Sequence, residues 1–149
     1  MDQQILESPA DKYLQEDLEN IADSNIPVEE LKGSSILVTG ATGLVGSRMV
    51  RALACINRER NAGMKILALV RSPEKARGIF GDLLDRGDIT LIVADLKDPL
   101  CVQENVDYII HGAAVTTSRV MVSKPVETIR TAIDGTGNML ELALTKKVK

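Results

Sequence analysis

Three glycines at a spacing of three mark the stretch Ile36 to Val50, ILVTGATGLVGSRMV: Gly40, Gly43 and Gly46, out of eleven in the chain. An apolar run precedes them and an amphipathic one follows, so they stand where a buried strand turns sharply into a helix. Strand, glycine turn and helix together make an anion site. The first N–H groups of a helix lack intrahelical acceptors and carry a partial positive charge. Side chains at the turn block a pyrophosphate from reaching them, so glycine belongs where the backbone must come close. On this reading Gly40 makes the tight turn, Gly43 lets a diphosphate approach, and Gly46 lets the helix pack on the strand. Thr42, Leu44 and Val45 complete the diphosphate loop. The bland alternative is a structural turn without a ligand. A glycine triplet alone is a weak signal; the clean strand before it, the helix after it and a second strand at the right distance make it strong. No Lys-Ser or Lys-Thr follows Gly46, which excludes a P-loop.

The other polar candidates are few. Sites that prefer NAD place an acid after the second strand to bond the ribose 2′-hydroxyl, and here that place holds Arg71. A guanidinium suits a 2′-phosphate, which favours NADP over NAD, against the alternative of a solvated loop arginine. His111 is the single histidine. It is either a cofactor-pocket residue or a packed imidazole, and for catalysis the packed reading is preferred. Thr116, Thr117 and Ser118 either touch a substrate or form a plain polar loop. One histidine and two scattered cysteines, Cys55 and Cys101, do not make a metal site. The cysteines form no C-x-x-C pair and indicate reduced thiols in a cytoplasmic protein.

These residues need a scaffold, and the hydrophobic pattern supplies one. Ser8, Pro9 and Asp11 read as a helix start, with Leu14, Leu18 and Ile21 as its stripe and Pro27 beyond its end. Strands are expected at 35–39, 65–70, 89–96 and 106–114. A helix face follows the glycines at Val45, Met49, Val50, Leu53 and Ile56. Ser72 caps a second crossover helix with Pro73 in its first turn and Ala76, Ile79, Phe80, Leu83 and Leu84 as its stripe. Lys124-Pro125 opens a long helix with Val126, Ile129, Ile133, Leu140 and Leu144 on one side. The link after the third strand, KDPLCVQEN, has room only for a turn or a short helix. Strands alternating with crossover helices imply α/β architecture, a doubly wound parallel sheet of the Rossmann kind, strand order 3-2-1-4, with an extra N-terminal helix. Residues 1–33 form the N-terminal helix and linker, and 34–149 the dinucleotide-binding domain. Aromatics are only 2% of the chain, which suits an aliphatic parallel sheet. A net charge of −3 without a basic block gives a nucleic-acid partner no support. No apolar run is long enough for a membrane span, and the acidic N-terminus MDQQILESPADKYLQ is unlike a signal peptide.

The motifs also resemble a family. TGATGLVG is similar to the T-G-x-x-G-x-x-G fingerprint of the extended short-chain dehydrogenases/reductases, the NAD(P)-dependent nucleotide-sugar epimerases and dehydratases. ADLKD at 94–98 resembles that family's Asp-Leu after the third strand, which implies adenine contacts for Asp95 and Leu96, Asp95 through its adjacent backbone. HGAA at 111–114 resembles its H-x-A-A, which implies that Ala113 and Ala114 lie near the nicotinamide. DGTGNMLELA at 134–143 resembles its G-T-x-N-x-L-E-x-A helix. The N-terminal helix resembles an extension in some sugar-nucleotide dehydratases and decarboxylases. Two departures stand out. Ala132 occupies a position where many members carry Asn, and the family's catalytic Tyr-x-x-x-Lys is absent: Asp17 follows Tyr13 by four residues, and Gly112 follows Tyr108.

The resemblance therefore implies the cofactor-binding, N-terminal part of a nucleotide-sugar epimerase or dehydratase, an oxidoreductase or lyase, with no catalytic residue in this chain. Its partners are the dinucleotide and, in the complete protein, a nucleotide sugar. A chain that stops where a fifth strand is due leaves the fourth as an apolar edge. That predicts homo-oligomers through this edge or by exchange of the last helix. Rival readings are a non-catalytic NADP sensor and a methyltransferase, the latter disfavoured by Arg71.

Overall fold

The structure, a computed structural model, describes residues 5–149; the first four residues of the acidic N-terminal stretch lie outside the described residues. In chain order the elements are α1 (Lys12–Asp23), β1 (Ser35–Thr39), α2 (Leu44–Arg60), β2 (Lys65–Val70), α3 (Pro73–Phe80), β3 (Ile89–Val93), β4 (Tyr108–His111), α4 (Ser118–Ser123) and α5 (Pro125–Lys146). The four strands are parallel in the expected order β3-β2-β1-β4. β1 and β2 occupy the residues their apolar runs predict, because both are central and buried along nearly their whole length.

Each face of the sheet carries its own apolar layer, as period-2 alternation requires. Ile36 and Val38 of β1 and Ile66, Ala68 and Val70 of β2 meet Val50, Leu53 and Ala54 of α2 and Ala76 and Phe80 of α3. Leu18 and Ala22 of α1 join this layer. Leu37, Leu67 and Leu69 on the other face meet Met139 and Leu142 of α5, with Val102 and Val106 from the β3–β4 link. That link contains no helix.

Several local expectations shift. Asp11, not Ser8, caps α1, accepting from the Leu14 N–H at 3.0 Å. The Ser8 N–H is committed to Gln15 Oε1 at 2.8 Å, and its carbonyl accepts from Asp11, so residues 8–11 form a turn ahead of the helix. β3 ends at Val93 because Asp95 turns the chain: its carboxylate accepts from the Lys97 N–H (3.0 Å) and its carbonyl from the Asp98 N–H (3.1 Å). β4 is likewise short, since Gly112 leaves the ladder to cross over Gly40. Helix α4 had no expectation in the sequence. The stripe Leu83–Leu84 continues past α3 as a single 3-10 turn.

The largest difference concerns α5. The apolar side read from the sequence, Val126, Ile129, Ile133, Leu140 and Leu144, lies exposed, and the buried side is Gly135, Met139 and Leu142. The rotation is set by two contacts. Gly135 lies against Leu96, where an added Cβ would come within 3.3 Å of the Leu96 Cβ. The Asn138 side-chain amide donates to the carbonyls of Leu96 (2.7 Å) and Asp98 (3.1 Å).

A buried charge ties the N-terminal segment to this core. Glu7 is fully buried, and its carboxylate accepts from Arg58, from Gln15 at 3.0 Å and from Arg86 at 2.6 Å. Arg51 donates to the Glu7 carbonyl. Burial pushes the Glu7 carboxyl up, but the hydrogen bonds from Arg58 and Gln15 and the Arg58 charge outweigh it and hold the group below its usual range. The neighbouring Cys55 thiol is pushed up to about 12, first by burial and then by the Glu7 charge, so it stays protonated and unreactive.

Candidate functional site

At the carboxyl end of the sheet, β1 leads through Gly40–Gly43 into α2. Gly40 has φ +65°, and an added Cβ would lie 2.8 Å from the Gly112 carbonyl oxygen and 2.9 Å from the Ala113 nitrogen. Backbone conformation and the close crossing of the β4 exit both require glycine there. Gly43 is the N-cap of α2, and its N–H closes the turn onto the Gly40 carbonyl at 2.8 Å. A Cβ on Gly46 would overlap the Gly40 carbonyl oxygen and come within 2.7 Å of the Gly40 carbon. Helix and turn thus touch backbone to backbone.

No side chain caps α2. The amides of Leu44, Val45 and Gly46 have no acceptor among the described residues. Leu44 and Val45 turn their side chains to solvent, although Val45 was expected on the core face. The result is a set of free N–H groups at the positive end of a helix, framed by glycine.

Register brings the other candidates to this end. Thr39 pairs with Leu69 on one side and His111 on the other, so Arg71 and Ala113, each two residues further on, flank the glycine turn. Arg71 is exposed and follows β2 directly; Ser72 caps α3 by accepting from the Lys75 N–H at 3.1 Å. Leu96 packs in the α5-side layer, while Asp95 spends its carboxylate on its own turn. Ala113 is half-buried and Ala114 exposed. An open pocket of about 590 Å³ between Lys97 and the start of α5 is lined by none of these residues.

One polar chain escaped the sequence reading. The Ala113 N–H donates to Thr39 Oγ1 (3.2 Å), and Thr39 Oγ1 lies 2.8 Å from His111 Nδ1, whose Nε2 is 3.4 Å from Thr136 Oγ1. Thr39 Oγ1 thus joins the β4 exit to the imidazole. Partial burial lowers the His111 pKa and favours the neutral imidazole. His111 is exposed and bridges the hydroxyls of Thr39 and Thr136. Thr39 and Asn138 lay inside quoted motifs, but only the fold reveals that they staple the β4 and β3 exits. Asn138→Ala is expected to cost about 1–3 kcal/mol by leaving two loop carbonyls without their donor, read as a lowered urea midpoint.

A parallel sheet ordered 3-2-1-4, with a glycine turn opening a bare helix N-terminus at its carboxyl end, defines the dinucleotide-binding α/β class. The comparisons narrow this class. The model of the NAD dependent epimerase/dehydratase family matches residues 36–149, and the chain belongs to that family. It is 29% identical over 125 residues to the uncharacterized membrane protein MJ1061 of Methanocaldococcus jannaschii, covering 79% of this chain and 34% of that protein. It is also 29% identical over 113 residues to dTDP-glucose 4,6-dehydratase of Streptomyces antibioticus, covering 74% of this chain and 33% of that one. Among solved structures, Pen from Bacillus thuringiensis superposes with a TM-score of 0.68 at 25% identity, over 80% of this chain and 36% of that one. The chain thus spans about a third of the length of the relatives it matches. No helix among the described residues is long and apolar enough to cross a membrane.

Proposed function

We propose that this chain is the dinucleotide-binding part of a nucleotide-sugar epimerase or dehydratase. The observation that carries the reading is the uncapped start of α2, where three free amides face a space that a Cβ on Gly40 or Gly46 would disturb. A diphosphate fits there, because its charge offsets the helix dipole and its oxygens accept from the amides of Leu44, Val45 and Gly46. Thr42 and Gly43 border the same space. Arg71 sits where the adenine ribose of a dinucleotide would lie and has no hydrogen-bond or ion-pair partner among the described residues, which suits a 2′-phosphate. Asp95 and Leu96 border the adenine side through the backbone of their turn. Ala113 and Ala114 border the nicotinamide side, held there by Thr39.

When bound, a nicotinamide dinucleotide supplies a reversible hydride acceptor for a sugar carbon, and the transient ketone permits epimerisation or elimination. The contribution of this chain is binding and orientation; the proton-transfer groups belong elsewhere in the complete protein. The free thiols of Cys55 and Cys101 suit a reducing, cytoplasmic setting.

Calorimetric titration of the chain with NADP and with NAD tests the reading. NADP is expected to bind more tightly, and Arg71→Glu to weaken NADP by roughly ten- to a hundredfold while changing NAD by less than about threefold. Equal losses for both would remove Arg71 from the phosphate site. Binding of neither to the unaltered, folded chain would overturn the cofactor reading.

A further inference from the structure

Residues 5–11 precede α1 and lie outside the stretch that the family model matches, which begins at residue 36. Their hold on the core is mainly polar. Glu7 is fully buried, and its carboxylate accepts from Arg58 of α2 and from Arg86 ahead of β3, while Arg51 of α2 donates to its carbonyl. Of the apolar residues in the segment, Ile5 packs on the core, whereas Leu6, Pro9 and Ala10 are exposed. Helix α1 is anchored differently, through the buried side chains of Leu18 and Ala22. A segment held by polar contacts with little apolar burial belongs to the parts of a fold that open locally, and its charged groups regain water when it does.

The arginines that hold Glu7 also hold α2. Arg51 reaches from the Glu7 carbonyl to the Ile79 carbonyl in α3. Arg86 donates to the Ala54 carbonyl inside α2 (2.9 Å) and to the Asp88 carboxylate (2.6 Å), which accepts from Asn57 of α2 at 2.9 Å. Glu7 is thus the anion at the centre of a frame that ties α2 to α3 and to the start of β3. A buried carboxylate and its guanidinium partners are costly to separate, so each contact in the frame leans on the others. At its other end α2 has no slack, because Gly46 rests on the Gly40 carbonyl. Arg51 lies about two turns, roughly 12 Å, along the helix from Gly43. A close-packed helix transmits a shift at that turn to its own start, where the free amides of Leu44 and Val45 stand.

We propose that residues 5–11 form a releasable strap that sets dinucleotide affinity: with Glu7 seated among Arg51, Arg58 and Arg86, α2 is held where its first amides take a diphosphate, and with the strap lifted the site binds more weakly. The proposal rests on the cofactor reading above and adds a second place on the chain from which that site is controlled. Glu7 acts through α2, so it is a positioning residue. The coupling is reciprocal by thermodynamic necessity: whatever factor the seated strap adds to dinucleotide affinity, a bound dinucleotide adds to the seating of the strap.

Hydrogen exchange of the Ser8 amide tests this in the unaltered chain, since that amide donates to Gln15 Oε1 (2.8 Å) and is freed when the strap lifts. The probe is whichever of NADP and NAD binds more tightly. Saturating dinucleotide is expected to slow the exchange about tenfold and then to plateau, whereas protection against global unfolding keeps rising with ligand. In calorimetric titrations Glu7→Gln is expected to weaken binding about tenfold, with thermal melts verifying that the variant is folded. Val106→Ala, in the apolar layer on the other face of the sheet, lowers stability and leaves affinity within about threefold. If Glu7→Gln does not fold, the exchange of Ser8 decides. An unaltered chain that binds neither dinucleotide overturns the cofactor reading and the coupling together. A chain that binds, with Ser8 exchange unchanged or slowed without a plateau, or with folded Glu7→Gln within about threefold of the original affinity, overturns the coupling alone.

Discussion

Gly46→Val is expected to abolish measurable dinucleotide binding and to destabilise the chain by about 3 kcal/mol. The new Cβ meets the Gly40 carbonyl group, which is backbone and cannot swing aside. Either α2 lifts from the turn or Gly40 moves, and each response displaces the amides of Leu44 and Val45 from one another. The contrasting control is Gly78→Ala in α3, where an added Cβ finds nothing within 4 Å. Removing a glycine from that helix interior is expected to stabilise by about 0.5–1 kcal/mol and to leave binding unchanged. Urea unfolding paired with NADP titration reads both effects. If Gly46→Val keeps its affinity, the backbone contact between helix and turn is not what shapes the site.

The other large effect lies far from that loop. Glu7→Gln is expected to cost about 2–3 kcal/mol, because it removes the fully buried carboxylate shared by Arg58 and Arg86 and leaves Arg58 only the more exposed Glu19 and Glu59, and Arg86 only Asp88. The pH dependence carries a definite sign. The folded state holds the Glu7 carboxyl below its usual value, so its contribution is present above the unfolded carboxylate pKa of about 4.3 and is lost as pH falls through the lower folded value. Urea midpoints measured from pH 7 downwards are therefore expected to converge for the unaltered chain and Glu7→Gln in acid. Curves that stay parallel down to pH 3 would show that the charge on Glu7 contributes nothing. Because Glu7 reaches Arg58 of α2 and Arg86 next to β3, the same measurement reports how firmly the N-terminal segment is fastened to the sheet.

Local chemistry made much of the fold legible in the residues. β1 and β2 are continuous apolar runs bounded by polar or turn residues, and a central parallel strand needs nothing more to be recognised. Ser72-Pro73 is a helix start wherever it is placed, and it caps α3 as read. Gly40, Gly43 and Gly46 specify a turn whose shape depends on residues close in sequence, so their spacing was enough to find the turn that opens α2. The order 3-2-1-4 follows from the alternation of strands and crossover helices together with the right-handed rule.

The orientation of α5 was not legible in the same way. Its sequence carries an apolar stripe and, on the opposite side, the smaller set Gly135, Met139 and Leu142; periodicity ranks stripes by hydrophobicity and chose the richer one. The tertiary structure chose the other, because Gly135 alone admits Leu96 and Asn138 alone satisfies the carbonyls of the β3 exit. The same holds for Glu7, an acidic residue in a polar stretch until two arginines of α2 and Arg86 ahead of β3 enclose it. Sequence by itself determined β1, β2, the helices α2 and α3 and the glycine turn, since each depends on steric and hydrogen-bonding preferences within a few residues. Only the tertiary structure decided which helix face is core and which charges are buried, since both depend on partners 40 or more residues away that no local pattern encodes.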